Sequence, residues 1–323
     1  MRSCRDFKTR MPSVARASSS DGVSVAVRKY DAIGSADRAR VVLLVHANGF
    51  HGGVFEPVCE RLCELGWTCY AMDLRGHGAS TAPTNGRMEW SALADDVQAV
   101  VTSLGLHRCH ALGHSCGGHA LLTVEARRPG TFASIYAFEP IFVVKQEEVP
   151  DLDVSPGSPL MTHTQYLVKS ATRRRSRFAS TAEALEAYKS KPPMNTWNAE
   201  ALNAYVNKGG FVSDVDGVRL ACIAETEIAV YNAGDKETTA FGELPKVTCP
   251  VAVAKGASLA SDGKTLIYSA VIAPAIVAAV RDGTLVEFPD NSHLGPMESP
   301  RDVADSARDF FTAALAREPR SKL

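Results

Sequence analysis

Apolar runs along this chain are separated by segments whose apolar residues recur at helical spacing. VSVAVRKY (23–30) alternates apolar and polar residues and predicts an exposed early strand, whereas VVLLVH (41–46) predicts a strand buried on both faces. The second pattern, an apolar run that ends in polar or turn residues, recurs at 68–74, 108–115, 133–140, 250–256 and 284–290. This alternation predicts an α/β fold, a mostly parallel sheet flanked by helices, with ligand sites at the carboxyl edge.

Two of the intervening segments have a clear apolar face. One covers 91–104, and the other covers 300–315 and begins at Pro300, a favoured first helical residue. Their apolar stripes consist of Leu93, Val97, Val100, Val101 and Leu104 in the first, and Val303, Ala307, Phe310, Phe311 and Ala314 in the second. We expect both stripes to be buried.

The alternation of strands and helices breaks at residues 143–247, which contain several prolines and a basic run. We predict that this segment is an inserted, mainly helical lid. The predicted organisation in chain order is a disordered or targeting tail (1–21), a first core part (22–142), the lid (143–247), a second core part (248–316) and a C-terminal tail (317–323).

The strongest local signal is G-H-S-C-G-G at 113–118, between a strand-like and a helix-like segment. It matches the G-x-S-x-G nucleophile elbow, in which a sharp strand-to-helix turn lifts the central serine above the sheet. Gly113 and Gly117 supply the space that such a turn needs. Ser115 is therefore the predicted nucleophile, at a helix N-terminus whose backbone N–H groups face a developing oxyanion.

A serine hydroxyl needs a base at neutral pH, and His293 is the histidine best placed for that role. It follows the last predicted strand, on a loop that begins with Asp290, and comes after Ser115 in chain order. His114 lies beside the elbow, where we expect it to pack behind the nucleophile. His293 is therefore the predicted general base.

The segment H-A-N-G-F at 46–50 follows the strand VVLLV and forms a small, turn-prone loop. Such a loop places one backbone N–H opposite the elbow. The backbone N–H groups of Asn48 and Cys116 are thus predicted to form the oxyanion hole. We expect the Cys116 side chain to be a small filler and not the nucleophile.

Together with D-L-R-G-H-G-A-S at 73–80, these segments resemble the α/β-hydrolase superfamily over roughly 23–145 and 245–315. Ala47 stands where that family usually has glycine. The resemblance implies the α/β-hydrolase fold, with Asp73, Arg75 and His77 as a loop brace. Ser115 is similar to the nucleophile of esterases, lipases, thioesterases and C–C-bond hydrolases, and unlike the aspartate of dehalogenases and epoxide hydrolases. The short segments F-E-P-I and H-L-G-P-M-E also resemble fungal peroxisomal hydrolases.

The acid that orients His293 has two main candidates. The family usually places it after the penultimate strand, where Asp262 comes later than the pattern requires. A minority of the superfamily carries it after the strand that follows the elbow, which here ends at Glu139 in F-E-P-I. Because a carboxylate at the end of an apolar strand needs a partner, we favour Glu139 over Asp262. Asp235 and Asp290 stay open as lesser alternatives.

The composition excludes several other classes of protein. With 323 residues, 45% of them hydrophobic, the chain is long enough for one large core with an insertion. Its net charge of −1 offers no electrostatic footprint for nucleic acid, and its longest apolar runs fall short of a membrane span. Eight scattered cysteines without C-x-x-C pairs predict reduced thiols. The predicted chemistry needs no metal and no cofactor.

Both ends of the chain suggest a location in the cell. Ser321, Lys322 and Leu323 form the S-K-L signal that peroxisomal import receptors bind, and the polar segment around it suits exposure. The first 22 residues are rich in Arg and Ser and poor in acids, like a mitochondrial transit peptide, although we favour a disordered tail. We therefore expect a peroxisomal protein, with the cytoplasm or mitochondrion as alternatives.

The residues predict a serine hydrolase that cleaves a carboxylic ester or acyl thioester of a small molecule through an acyl-enzyme. The alternatives are a C–C-bond hydrolase on the same fold and a ligand-binding homologue without turnover. The basic run Arg173, Arg174, Arg175 and Arg177 suggests anion binding, for example of acyl-CoA phosphates, although such runs are more often solvated helix faces.

Overall fold

A computed structural model describes residues 12–34, 36–155, 157–158, 160–161, 163–260 and 265–317 of this chain. The strands in these residues are β1 (Ser13–Ser18), β2 (Ser24–Tyr30), β3 (Val41–Val45), β4 (Thr68–Met72), β5 (Cys109–His114), β6 (Phe132–Phe138), β7 (Arg177–Phe178), β8 (Phe211–Asp214), β9 (Gly217–Leu220), β10 (Val251–Lys255) and β11 (Gly283–Glu287). The α-helices are α1 (Glu56–Glu64), α2 (Trp90–Ser103), α3 (Cys116–Arg127), α4 (His163–Arg173), α5 (Thr181–Lys189), α6 (Ala199–Asn207), α7 (Ala224–Gly234), α8 (Tyr268–Ala279), α9 (Gly295–Glu298) and α10 (Pro300–Arg317).

The central sheet has the strand order β1-β2-β4-β3-β5-β6-β10-β11. The pairs β1·β2 and β2·β4 are antiparallel, and every pair from β4 to β11 is parallel. Each strand of the parallel part overlaps a segment that the apolar runs predicted, and β6 and β11 begin one residue earlier than predicted. The predicted α/β-hydrolase fold, a mostly parallel sheet flanked by helices, is therefore confirmed.

Apolar residues on the two faces of the sheet enter two separate cores. In β3, Leu43 and Val45 belong to one core, and Val42 and Leu44 to the other, because successive side chains point to opposite faces. The first core is covered by α2, α3 and α8, and the second by α1 and α10. Since both faces are covered, the parallel strands present their carboxyl ends as the exposed edge where a site can form.

The start of the sheet corrects two predictions. β1 lies within the predicted tail 1–21 and pairs with β2 from Ser13 to Ser18. With β1 on one side and β4 on the other, β2 is an inner strand and is largely buried, not exposed. The predicted boundary at residue 22 is too late because β1 is short and mostly polar, with only Ala17 in the core. Residues 1–11 lie outside the described residues.

Residues 143–247 lie between β6 and β10, and we call them the inserted segment. They contain α4 to α7 and a small antiparallel sheet with the order β7-β9-β8, so strands accompany the predicted helices. The helices α4 and α7 pack against each other. That this segment acts as a lid stays a prediction.

In the described part of the chain, no helix is both long and apolar enough to cross a membrane. The predicted S-K-L signal, Ser321 to Leu323, lies outside the described residues, as does the rest of the tail after Arg317.

Candidate active site

The elbow lies at the carboxyl end of β5. Ser115 has φ 56° and ψ −122° between β5 and α3, a left-handed backbone that costs free energy and is typical of functional sites. A Cβ atom on Gly113 would lie 2.5 Å from the Gly118 Cα, and one on Gly117 would overlap the Val45 carbonyl oxygen. The backbone N–H of Ser115 donates to the Phe138 carbonyl at 3.0 Å and so joins the turn to β6. Only glycine at 113 and 117 leaves room for this turn.

His293 lies on the loop between β11 and α9, against the residue that precedes Ser115. His114 Nε2 lies 2.8 Å from the His293 carbonyl oxygen, and the two imidazole rings are 4.9 Å apart. Burial holds the pKa of His114 well below its ordinary value, so this ring is neutral. A neutral His114 donates from Nε2 and holds the backbone of His293 beside the elbow, as expected for a packing residue.

Glu139 follows β6 with φ 43° and is fully buried. Its carboxylate accepts the Gly256 N–H at 2.8 Å and the Ser269 hydroxyl at 2.5 Å, and it lies 2.6 Å from His293 Nδ1. Burial raises its pKa, but the bonds from His293, Ser269 and Gly256 outweigh that effect and lower the pKa below its ordinary value. Glu139 is therefore an ionised carboxylate bonded to the predicted base.

None of the other candidate acids is described in contact with His293. Asp262 lies outside the described residues. Asp235 is exposed at the end of α7, and Asp290 is exposed on the loop before His293. Within the ranges that the structure describes, Glu139 is the one carboxylate in contact with His293.

Ser269 is a polar residue of this site that the sequence did not reveal. It lies in the first turn of α8, 3% exposed, and its hydroxyl also lies 3.0 Å from His293 Nδ1. Ser269 stands 130 residues from Glu139 in the chain. No motif marks it, since only the packing of α8 beside β6 and β10 brings the three side chains together.

The loop after β3 brings the two predicted oxyanion donors together. The backbone amide of Asn48 interacts with the sulfur of Cys116, and burial raises the pKa of that thiol to about 12. The Cys116 side chain is therefore a protonated filler at neutral pH, while its backbone N–H is the first of α3. The Asn48 side chain donates to the Glu227 carbonyl at 2.8 Å, which joins the loop to the inserted segment.

Two buried histidines support this loop from below. His46 Nε2 accepts the Leu74 N–H at 2.9 Å, and His77 Nε2 accepts the Gly49 N–H at 3.1 Å. Burial lowers the pKa of His46 to about 3 and of His77 to about 4. Both rings are neutral at pH 7, so each can accept from a backbone amide.

The segment 73–80 contributes a brace to the same loop, as expected. Asp73 accepts from Arg28 at 2.7 Å, from the Gly52 N–H at 2.6 Å and from the Ala79 N–H at 2.8 Å. Arg75 makes a fully buried pair with Asp96 at 2.8 Å. These contacts join four chain segments below the site.

Aromatic residues of the inserted segment cover the loop after β3. Phe50 stacks on His114 with ring centroids 6.1 Å apart and meets Trp197 and Tyr205 edge-on at 5.4 and 5.8 Å. Ser115, next to His114 in the chain, is 9% exposed. Among the described residues, no group of three or more His, Cys, Asp or Glu side chains could hold a metal ion.

Comparison with known proteins identifies both curated relatives and solved structures that resemble this chain. A curated relative, the 2-(acetamidomethylene)succinate hydrolase of Mesorhizobium japonicum, is 32% identical over 38% of this chain and 49% of its own length. The match thus spans about half the length of that relative. A crystal structure of E-2-(acetamidomethylene)succinate hydrolase superposes with a TM-score of 0.70 at 20% identity, over 93% of this chain and 99% of that one.

A second solved structure, a peroxisomal alpha-beta-hydrolase from Saccharomyces cerevisiae, has a TM-score of 0.70 at 17% identity, over 96% of this chain and 92% of that one. At such identities the likeness shows the fold alone. The family model described as the alpha/beta hydrolase family matches residues 42–306, which is most of the chain. The matched residues include the parallel strands and the elbow around Ser115. This chain therefore belongs to the alpha/beta hydrolase family.

Proposed function

We propose that this hydrolase cleaves a carboxylic ester or acyl thioester, with Ser115 as nucleophile, His293 as base and Glu139 as the acid. The observation that carries the proposal is the 2.6 Å contact between His293 Nδ1 and the buried Glu139 carboxylate. An ionised carboxylate only accepts, so Nδ1 carries the proton and donates it. The other ring nitrogen, Nε2, is then unprotonated and able to accept a proton from Ser115.

In the acylation step, Ser115 Oγ attacks the carbonyl carbon and its proton passes to His293 Nε2. The negative charge that develops on the carbonyl oxygen is stabilised by the backbone N–H groups of Asn48 and Cys116. When the tetrahedral intermediate collapses, the bond to the leaving group breaks. The alcohol or thiol leaves with the proton from His293, and the acyl group stays on Ser115.

In the deacylation step, water takes the place of the leaving group. His293 accepts a proton from the water while the water oxygen attacks the acyl carbon. His293 then returns that proton to Ser115 Oγ as the acid product leaves. Glu139 stabilises the imidazolium form of His293 in both steps. Its lowered pKa supports this role, because the carboxylate stays ionised over the range in which a histidine base works.

Labelling with a fluorophosphonate probe tests the nucleophile, because only an activated serine reacts quickly. We expect stoichiometric labelling at Ser115 in the full chain, with no labelling of Ser115→Ala. Hydrolysis of a series of esters and thioesters by the same two proteins then tests turnover.

The two alternatives predict other results. Rapid labelling without ester or thioester turnover, together with cleavage of a β-diketone, favours the C–C-bond hydrolase. Absence of labelling and of turnover favours a ligand-binding homologue, because Ser115 is then unreactive and the fold can only bind its ligand.

The location in the cell stays a prediction from the S-K-L tripeptide, Ser321 to Leu323. A fluorescent protein fused in front of residue 1 is expected to appear in peroxisomes. The same fusion without Leu323 is expected to stay in the cytoplasm, and peroxisomal import of both would contradict the prediction.

A further inference from the structure

The basic run in the inserted segment divides into exposed arginines and one largely buried arginine. Arg173, Arg175 and Arg177 are exposed, and the last two pair with carboxylates of the same segment. Arg174 points inward, with 21% of its side chain exposed, and its Nη2 donates to Glu227 Oε2. Its Nε–H is buried and has no hydrogen-bond partner among the described residues.

Two further buried donors of the inserted segment lack a partner among the described residues. They are the Tyr188 hydroxyl and the Trp197 Nε1–H, on side chains of residues that are 9% and 7% exposed. The rings of Tyr188 and Trp197 both pack on Tyr205, at 6.0 and 5.7 Å between centroids, and the charge of Arg174 acts on Tyr205 and Tyr188. Buried donors without acceptors are costly, so three such donors on side chains that all interact with Tyr205 indicate that an acceptor-rich group belongs there.

This donor cluster, Arg174, Tyr188 and Trp197, lies next to the loop that carries the proposed oxyanion donor Asn48. The carboxylate that pairs with Arg174, that of Glu227, would lie 3.0 Å from a Cβ atom on Gly49. The Tyr205 hydroxyl donates to the Gly49 carbonyl at 3.4 Å. The direct neighbours of the donor cluster, Glu227 and Tyr205, therefore contact Gly49, the residue after the proposed oxyanion donor Asn48.

We propose that Arg174, with Tyr188 and Trp197, binds a carboxylate of the substrate, so that the ester or thioester carries a second, anionic group close to its scissile carbonyl. The inference rests on the proposed function and names its substrate class. A guanidinium whose Nε–H lacks a partner matches a carboxylate in charge and geometry. An uncharged acyl chain in the same place would leave all three donors without acceptors.

Glu227 has a defined part in this arrangement. It pairs with Arg174 while no substrate is bound, so that the buried guanidinium is not left as an isolated charge. When a substrate carboxylate arrives, Glu227 is the group that must yield its place or take up a proton. Glu227 therefore competes with the substrate, and its removal is expected to favour anionic esters.

Two esters of nearly equal shape test the proposal. Monoethyl succinate carries a carboxylate, and in ethyl 4-methylpentanoate an isopropyl group stands in its place. We expect the wild type to prefer the anionic ester, and Arg174→Met to lower the ratio of the two kcat/KM values about 10- to 100-fold, as for a lost hydrogen bond to a charged group. Arg175→Met, which removes an exposed arginine, is the matched control and is expected to leave the ratio unchanged.

The two members of the ion pair should change the preference for monoethyl succinate in opposite directions, which a purely structural role would not do. Glu227→Gln is expected to raise the preference for monoethyl succinate, because the competing charge is gone. If the Arg174 and Glu227 variants lower both esters equally, or both lower the ratio, the pair merely fixes the inserted segment and the proposal is overturned.

Binding to an inactive protein keeps the two proposals distinguishable. Calorimetry on Ser115→Ala is expected to show tighter binding of monoethyl succinate than of ethyl 4-methylpentanoate, and the further change Arg174→Met is expected to abolish that difference. Equal binding of both esters by Ser115→Ala overturns the carboxylate site even if fluorophosphonate labels the wild type. Failure of that labelling overturns the serine hydrolase instead, whichever ester binds.

Discussion

The loop after β3 and the inserted segment use buried ionisable side chains in different ways. Below the elbow, His46, His51 and His77 are buried as neutral rings, with pKa values lowered by burial to about 3, 4 and 4. In the inserted segment, Arg174 and Glu227 are buried as a pair of opposite charges. A neutral ring accepts backbone amides and holds a loop in one shape. The buried Arg75–Asp96 pair of the sheet side is bidentate, whereas Arg174 keeps a buried Nε–H without a partner among the described residues. The residues around the sheet thus supply the geometry of the candidate site, and the donors of the proposed carboxylate site lie in the inserted segment.

The largest effect is expected at the carboxylate on the sheet side of the site. Glu139→Gln should lower kcat/KM about 10³- to 10⁴-fold, because His293 loses the partner that fixes its tautomer and stabilises its charged form. Ester hydrolysis by purified variants is the measurement, with exposed Asp290→Asn as the control. A comparable loss in Asp262→Asn, with little effect at 139, would transfer the acid role to Asp262.

The second effect concerns stability. It compares a fully buried ion pair beside the sheet with an exposed ion pair in the inserted segment. Asp96→Ala should lower the free energy of unfolding by about 3–5 kcal/mol, because it leaves the fully buried Arg75 without its bidentate partner. Arg175→Met, which breaks an exposed pair in the inserted segment, should cost less than about 1 kcal/mol. Urea unfolding measures both free energies. Similar losses in the two variants would contradict the expectation that the buried pair contributes more to stability than the exposed pair.

The third effect is a pH dependence that comes from the core histidines. His119 is neutral in the fold, with a pKa lowered by burial to about 4 from an ordinary 6.5. The unfolded chain therefore binds more protons as the pH falls below 6.5, and stability is lost in that direction. A single such histidine costs about 2 kcal/mol between pH 6.5 and 5.

His119→Phe is the variant that isolates this contribution, since the ring packs between Trp90 and Phe142 at 4.7 and 4.6 Å. Its unfolding free energy should fall less steeply with decreasing pH than that of the wild type. Equal slopes for the two proteins would mean that His119 does not titrate differently on unfolding.

The smallest effect is expected at Ser269. Ser269→Ala removes one donor from Glu139, so the pKa of this carboxyl should rise and the acid limb of the kcat/KM profile should move to higher pH. We expect a loss of about 10-fold in kcat/KM at neutral pH from one charge-assisted hydrogen bond. Ser306→Ala, whose hydroxyl bonds Tyr136 away from the site, is the control. A lower rate without a shifted profile would show that Ser269 only fills space.

The local patterns of the sequence were sufficient to predict the parallel sheet and the main candidate residues of the active site. Apolar runs marked the parallel strands, and the glycines around Ser115 marked the elbow, because both depend on residues that are neighbours in the chain. The apolar strand before Glu139 favours this residue over Asp262, because a carboxylate at the end of such a strand needs a partner. The same reasoning missed β1, whose polar residues carry no such signal.

Contacts across long sequence separations were decided by the tertiary structure alone. His293 and Glu139 are 154 residues apart, and Ser269 reaches both from a helix that has no sequence motif. Arg174 looks like its neighbours in a basic run, and only the packing of α4 on α7 turns it inward to Glu227. The physical reason is that periodicity assigns a side chain to a face of its own element, whereas its partner depends on how the elements pack against one another.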